Sequence, residues 1–296
     1  MSELLIVPNQ TRQPLMPSID QIVEDFKIFL EVKYPAYLEK FVQRLAANPE
    51  AARAEAIVFS FLRSQALNPL PSEDLSSGGM DFLCHQNGKP SFFLETTSFG
   101  SETAANASGI STKIPESASA SWYKTITKQL RRIVSEKARQ LSAQVHPCVL
   151  AITTEHYSAE ALLGTQAAVD MLIGETKIAF SVGTEESKSN IITELEDSVF
   201  FRRKKDGSGI ESWRRNISAI LLFQIYSKEC RIVGLLHPDP TKPFSIDLLP
   251  EIPFIRLQTW PPKDGKLDTE WVISNPSATQ FYHQSIALTD VELKQN

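Results

Sequence analysis

Apolar residues recur at helical spacing over the first third of the chain. After an irregular, proline-containing lead-in over residues 1–17, Ser18-Ile19-Asp20 opens a run in which Ile22, Phe26, Phe29 and Leu30 share one face. Asp20 and Glu24 sit where a helix N-terminus favours negative charge. Pro35 interrupts the run, and Tyr37, Phe41, Val42 and Leu45 carry the period on to Asn48. A further helix is predicted from about Pro49 to Ala66, with Ala51, Val58 and Leu62 on its stripe. Glu55 falls on that same stripe. A carboxylate on a buried face is costly unless it is paired or binds a metal ion, so Glu55 is a candidate for chemistry.

The pattern then changes. Residues 68–79 (NPLPSEDLSSGG) read as a loop. MDFLCH (80–85) and SFFLETTSF (91–99) are rich in aromatic and branched residues and are joined through Asn87-Gly88, which predicts a β-hairpin. Residues 100–120, rich in Ser, Ala and Gly and containing Lys113, read as a mobile loop. The strongest helical pattern covers 119–144, where Ile126, Leu130, Ile133 (or Val134) and Leu141 mark the inner face. Lys137 takes the stripe position four after Ile133, and Gln140 lies seven after it. His146–Thr154 reads as a buried strand, Ser158–Ile173 as a helix ending at Gly174, and Lys177–Val182 as a strand. Further strands are expected at Ser198–Arg203, Ser218–Tyr226 and Arg231–Leu236, with a charged turn over 204–209 and a proline-fixed turn over 237–244. Residues 245–296 look irregular apart from a short strand near Trp271. The expected fold is therefore α/β: a mixed central sheet flanked by helices over 49–244, with an N-terminal helical segment (1–48) and a C-terminal extension (245–296) packed on it.

Composition narrows the function classes. At 42% apolar residues the chain is too hydrophobic for a disordered protein. A net charge of −5 and a pI near 5.7 argue against a binder held to nucleic acid by bulk charge, though not against a nuclease whose basic residues form a local stripe. Cys84, Cys148 and Cys230 are sparse and lie far apart, which suits buried thiols in a reducing cytosol better than disulfides or a zinc site. The first residues lack the basic and apolar segments of a signal peptide, and no apolar window is long enough to span a membrane; the expected location is cytoplasmic. No phosphate-binding glycine loop, dinucleotide fingerprint, zinc-protease helix or nucleophile-elbow motif is present.

What remains is an ordered set: Glu55, then Asp81, then Glu95-x-Thr97, then Lys137 and Gln140. Alternation along the second hairpin strand points Glu95 and Thr97 the same way. Two carboxylates on neighbouring strands suit a Mg²⁺ or Mn²⁺ ion that keeps waters to offer a phosphodiester. Glu55 on a core helix, Gly79-Met80-Asp81 and Leu94-Glu95-Thr96-Thr97, in a helix–hairpin–helix–strand order, resemble the PD-(D/E)XK, or restriction-endonuclease-like, nuclease superfamily over about residues 50–155. The resemblance implies a Mg²⁺-dependent endonuclease, with Asp81, Glu95 and Glu55 at the metal. A lysine or glutamine on the following helix, here Lys137 and Gln140, would stabilise charge and position water. Thr97 stands where the family has lysine and cannot supply its charge. Two readings stay open: Lys137 has taken over that role, or the site is a silent DNA- or protein-binding descendant.

Hairpin register is the geometric test. With a simple two-residue turn, Gln86 opposes Lys89 and Asp81 opposes Leu94, facing away from Glu95. A metal site requires one residue of offset, from a longer loop or a bulge. Cys84-His85 is a weak nucleophile–base candidate because strand neighbours face opposite ways. His237, beside Pro238 and Asp239, reads as a hydrogen-bonded turn residue. The basic residues Lys124, Lys128, Arg131 and Arg132 on one helix, and Arg202, Arg203, Lys204 and Lys205 in one run with Arg214 and Arg215 close by, are candidate phosphate contacts. Trp122 and Tyr123 could stack on bases. Nucleic acid, DNA ahead of RNA, is the expected partner. Superfamily members often dimerise, which brings a homodimer into view, but the pattern itself carries no dimer signature.

Overall fold

In the computed structural model, residues 17–74, 79–113, 126–141, 144–180, 189–194, 198–226, 230–262 and 267–275 are described. Helix α1 (Ile19–Lys33) is capped by the Ser18 hydroxyl, which accepts the Gln21 N–H. α2 (Pro35–Ala47) begins on Pro35, whose fixed φ and missing N–H suit a first turn. α3 (Pro49–Ser64) repeats that start, with the Asn48 side chain accepting the Ala51 N–H.

An eight-stranded mixed sheet follows. Its strands are β1 (Asn68–Pro71), β2 (Phe82–Gln86), β3 (Lys89–Ser98), β4 (Cys148–Thr154), β9 (Ala219–Ile225), β10 (Cys230–Leu236), β11 (Phe254–Leu257) and β12 (Thr269–Val272), in that spatial order. The sheet is parallel from β3 through β4 to β9 and again from β10 to β11, and antiparallel elsewhere. Two short ribbons stand apart: β5 (Glu175–Phe180) with β6 (Ser189–Glu194), and β7 (Phe201–Arg203) with β8 (Ile210–Ser212).

The central strands are buried on both faces, as parallel strands require. Val149, Ala151, Leu221 and Phe223 pack with α1 and α3, whereas Leu150, Ile152, Ile220 and Leu222 pack with the other helices. Those other helices are α4 (Ser101–Ser108), α5 (Thr127–Gln140), α6 (Ala159–Leu163) and α7 (Thr165–Ile173). No helix among the described residues is long and apolar enough to cross a membrane.

The α/β class and the mixed sheet flanked by helices are as the pattern predicts. Several local expectations are corrected. The segment opening NPLP is not all loop: Asn68–Pro71 pairs with β2 as an edge strand, where prolines need donate nothing on the open side. Residues 101–108 form helix α4 instead of loop. The helix expected over 158–173 breaks at Gly164, whose backbone is extended and where a Cβ would stand 2.2 Å from the Glu160 carbonyl oxygen. Phe254–Leu257 is a sheet strand within the tail that looked irregular. The helix expected over 119–144 is observed as Thr127–Gln140, and residues 114–125 lie outside the described residues.

Candidate functional site

The β2–β3 hairpin sets the site. Asn87 and Gly88 both take positive φ (52° and 75°), giving the tight two-residue turn. Gln86 opposes Lys89 and His85 opposes Pro90, but Cys84 opposes Phe92. Ser91 is thus an extra residue, a bulge beside a proline that cannot donate to the ladder. The offset carries through to Phe82 opposite Leu94, which brings Asp81 level with Glu95. β2 begins at Phe82, and just before it the Asp81 carboxylate extends the ladder: its Oδ2 accepts the Thr96 N–H at 2.6 Å.

Glu95 is 4% exposed. Its Oε1 accepts from Lys137 Nζ at 2.5 Å, while its Oε2 is buried with no hydrogen-bond partner. Lys137 reaches it from α5, whose Leu130, Val134 and Ala138 bury the adjoining stripe. Glu55 comes from α3, in the layer on the opposite face, and its Oε2 accepts from Arg44 Nη1 of α2 at 2.5 Å. Arg44 Nη2 also contacts Glu73 Oε2 at 3.3 Å. The Tyr37 hydroxyl donates to the Glu73 carbonyl oxygen, fixing that loop.

The electrostatics mark a strained cluster. Burial pushes the Glu55 carboxyl up to about 7 against the pull of Arg44, with Glu73 and Glu95 pushing the same way. Burial also holds Asp81 well above the usual carboxylate range, helped by repulsion from Glu95 and Glu55 and opposed by the Thr96 N–H and Arg44. Glu95 is raised by burial, although Lys137 and the Asp81 backbone N–H favour its ionised form. Arg44 stays firmly protonated: burial works against its charge, but Glu55, Asp81 and Glu73 outweigh it.

No group of three or more His, Cys, Asp or Glu side chains among the described residues is arranged to hold a metal ion. Arg44 and Lys137 instead hold two of the carboxylates. A divalent cation at Asp81 and Glu95 would therefore have to draw on two protein oxygens and its own waters, which is ordinary for Mg²⁺.

The remaining predicted residues divide. Thr97 follows Glu95 on the same face of β3, partly buried, and its carbonyl accepts from Thr153. Gln140 is exposed on the last turn of α5 and bonds to none of the carboxylates. Lys128, Arg203 and Lys204 are exposed, while Arg131 and Arg202 are partly buried. Lys124, Trp122 and Tyr123 lie outside the described residues. Cys84 is fully buried, while His85 turns back to the Leu83 carbonyl, so the two form no dyad. His237 is a buried turn residue, bonded to the Trp213 carbonyl and the Asp239 N–H. The three cysteines are free and buried.

The residues that sequence reasoning missed are Arg44 and Glu73. Arg44 lies three after Phe41 and seven after Tyr37, on the apolar side of its helix, which is a signal of the kind Glu55 shows, whereas Glu73 lies in a segment read as loop and carries no periodic signal. No protein-family model, curated protein or solved structure matches the chain.

Proposed function

We propose that the chain is a divalent-metal-dependent nucleic-acid phosphodiester hydrolase. The observation that carries this reading is Glu95 Oε2: a buried carboxylate oxygen without a partner, level with Asp81, on a carboxylate whose other oxygen is held by Lys137. A buried polar atom left unpaired is costly and rare, and it concentrates where a ligand completes the shell. The orphaned oxygen and the raised carboxylates suit a cation, because a bound cation would relieve both. Asp81 and Glu95 would hold it, and Glu55 would bind directly or through water. The metal would supply Lewis acidity at a phosphoryl oxygen and a more acidic water.

The chain's own residues do the rest. The Thr96 N–H fixes Asp81. Lys137 fixes Glu95 and brings the positive charge that Thr97 lacks to the same carboxylate. Arg44 restrains Glu55 and offsets part of the cluster's charge. The helix–hairpin–helix–strand order, here α3, β2–β3, α5 and β4 with the edge strand β1 and the short helix α4 interposed, supports the restriction-endonuclease-like resemblance.

The test is Mg²⁺- and Mn²⁺-dependent degradation of plasmid and single-stranded DNA by the full chain. Loss of cleavage in Asp81→Asn and Glu95→Gln supports the reading; cleavage unchanged in both overturns it. A second reading, a silent DNA-binding module on the same scaffold, is favoured by one observation: Arg44 and Lys137 already neutralise Glu55 and Glu95 without a metal. DNA bound but left uncut with either metal would select it.

A further inference from the structure

A second cluster lies towards the start of α5 and has the opposite sign. Three guanidinium groups gather on one indole: the central carbons of Arg214, Arg202 and Arg131 stand 3.8, 4.7 and 5.5 Å from the Trp213 ring centre. They come from three places in the fold, namely the segment after β8, strand β7 and helix α5. Arg214 is 7% exposed, hence more than nine-tenths buried. Its Nη1 donates to the Val199 carbonyl at 2.6 Å and its Nη2 to the Ser135 hydroxyl, while its Nε is buried without a partner.

Among the described residues, charge there is not balanced. Glu211 meets Arg202 at 2.7 Å, and it is the one carboxylate in an ion pair with any of the three among the described residues. Burial lowers the Arg214 guanidinium to about 10, with Arg131 and Arg202 adding repulsion, yet it remains charged at neutral pH. A buried arginine ordinarily has a counter-ion. The indole face offers a cation–π attraction, but one ring cannot stand in for the two further negative charges that the described residues do not supply. The planar donor forks of arginine match the tetrahedral oxygens of phosphate in particular.

We propose that Arg131, Arg202 and Arg214, grouped on Trp213, form a phosphate-binding site. The site itself stands on this geometry; identifying its ligand as a nucleic-acid phosphate rests on the function proposed above. Helix α5 carries both Arg131 and Lys137, so a strand phosphate bound here and the carboxylate cluster would be positioned by one rigid element.

The experiment is fluorescence anisotropy of the full chain in EDTA. The probes are a labelled 5′-phosphorylated single-stranded oligonucleotide and its 5′-hydroxyl counterpart, with inorganic phosphate and pyrophosphate as competitors. Because Arg214 is buried and its replacement could prevent folding, the test variant is the double substitution Arg131→Gln, Arg202→Gln, with near-UV circular dichroism as the folding control. The expected loss of oligonucleotide affinity is about ten-fold or more, with a reduction of about one in the magnitude of the salt slope. A preference for the 5′-phosphorylated probe assigns a terminal phosphate, and equal binding of both assigns the backbone. Weak oligonucleotide binding that phosphate or pyrophosphate displaces more effectively than unlabelled oligonucleotide does assigns a small phosphorylated ligand. All three outcomes support the site. Wild-type affinity in the folded double variant, or no binding of any probe, overturns it. Intact binding in the arginine variant, with cleavage lost in Asp81→Asn, sinks this inference alone. Lost binding in the arginine variant, with no metal-dependent cleavage by the wild type, sinks the hydrolase reading alone.

Discussion

Lys137 Nζ donates to one oxygen of Glu95 at 2.5 Å while the other oxygen of the same buried carboxylate has no partner. The half-satisfied pair holds a charge in place without completing its shell. Such an arrangement lowers stability and persists where function requires it. Asp81 and Glu55 add to the same imbalance, since each is driven above its ordinary value by burial and by its acidic neighbours.

Removing charge from Asp81 should therefore stabilise the fold. An acid whose folded pKa is raised stabilises the protein below its unfolded pKa, and that contribution is lost as pH rises through the folded value. Asn at position 81 can still accept the Thr96 N–H. The melting temperature of Asp81→Asn should exceed that of wild type by several degrees at pH 8. The gap should close as pH falls into the ordinary carboxylate range. A variant that is less stable than wild type at pH 8 contradicts the strained-carboxylate picture.

Lys137→Met removes the only ion-pair partner that Glu95 has among the described residues and leaves a buried charge exposed to nothing. It should cost about 3 kcal/mol in urea unfolding at neutral pH. Adding Glu95→Gln to the same chain should recover much of the loss, because the uncompensated charge goes with it. Additive losses in the double variant would show that Lys137 acts through packing.

The register of the hairpin shows how far the sequence could be read. The turn at Asn87-Gly88 and both strands are visible in the pattern of apolar residues. The relation between Asp81 and Glu95 is not, because it depends on whether one residue is squeezed out of the ladder. Pro90 supplies the reason in retrospect: lacking an N–H, it makes the next ladder position a natural place for Ser91 to be the unpaired residue. The partners of Arg44 are hidden for another reason. Its phase matches that of Tyr37 and Phe41, but its pairing with Glu55 and Glu73 comes from α2 packing beside α3, a tertiary contact that no pattern along the chain records. In the same way Arg214 looked like one charge in a basic run, and only burial distinguishes it from its exposed neighbour Arg215.

Deleting Ser91 should remove the bulge while keeping Asp81 opposite Glu95, because the residue lost is the one without a partner in the ladder. The hairpin should persist by circular dichroism, and Mn²⁺-dependent cleavage should stay close to that of wild type. A loss of cleavage equal to that of Asp81→Asn would show that the site needs the local twist of the bulge as well as the register.

His237 predicts an acid limit of its own. It is 5% exposed, lies 4.5 Å from the Phe200 ring centre to centre, and packs in the turn that follows β10. Its Nε2 meets the Trp213 carbonyl at 2.8 Å, and its Nδ1 accepts the Asp239 N–H at 2.9 Å. The neutral ring protonated at Nε2 satisfies both bonds, whereas the imidazolium would confront the Asp239 N–H with a second donor. Burial accordingly drives His237 down to about 4 from 6.5. A histidine with a lowered folded pKa stabilises the protein fully above its unfolded pKa and loses that contribution as pH falls towards the folded value. The amount at stake is about 3 kcal/mol between pH 6.5 and 4. Glutamine can place an amide donor near the Trp213 carbonyl and does not titrate. His237→Gln should therefore be less stable than wild type at pH 7, with a flatter decline of stability from pH 6.5 to 4. Parallel pH profiles for the two proteins would show that the acid limit arises elsewhere, while an NMR titration of the His237 ring near 6.5 would show that its burial does not hold it neutral.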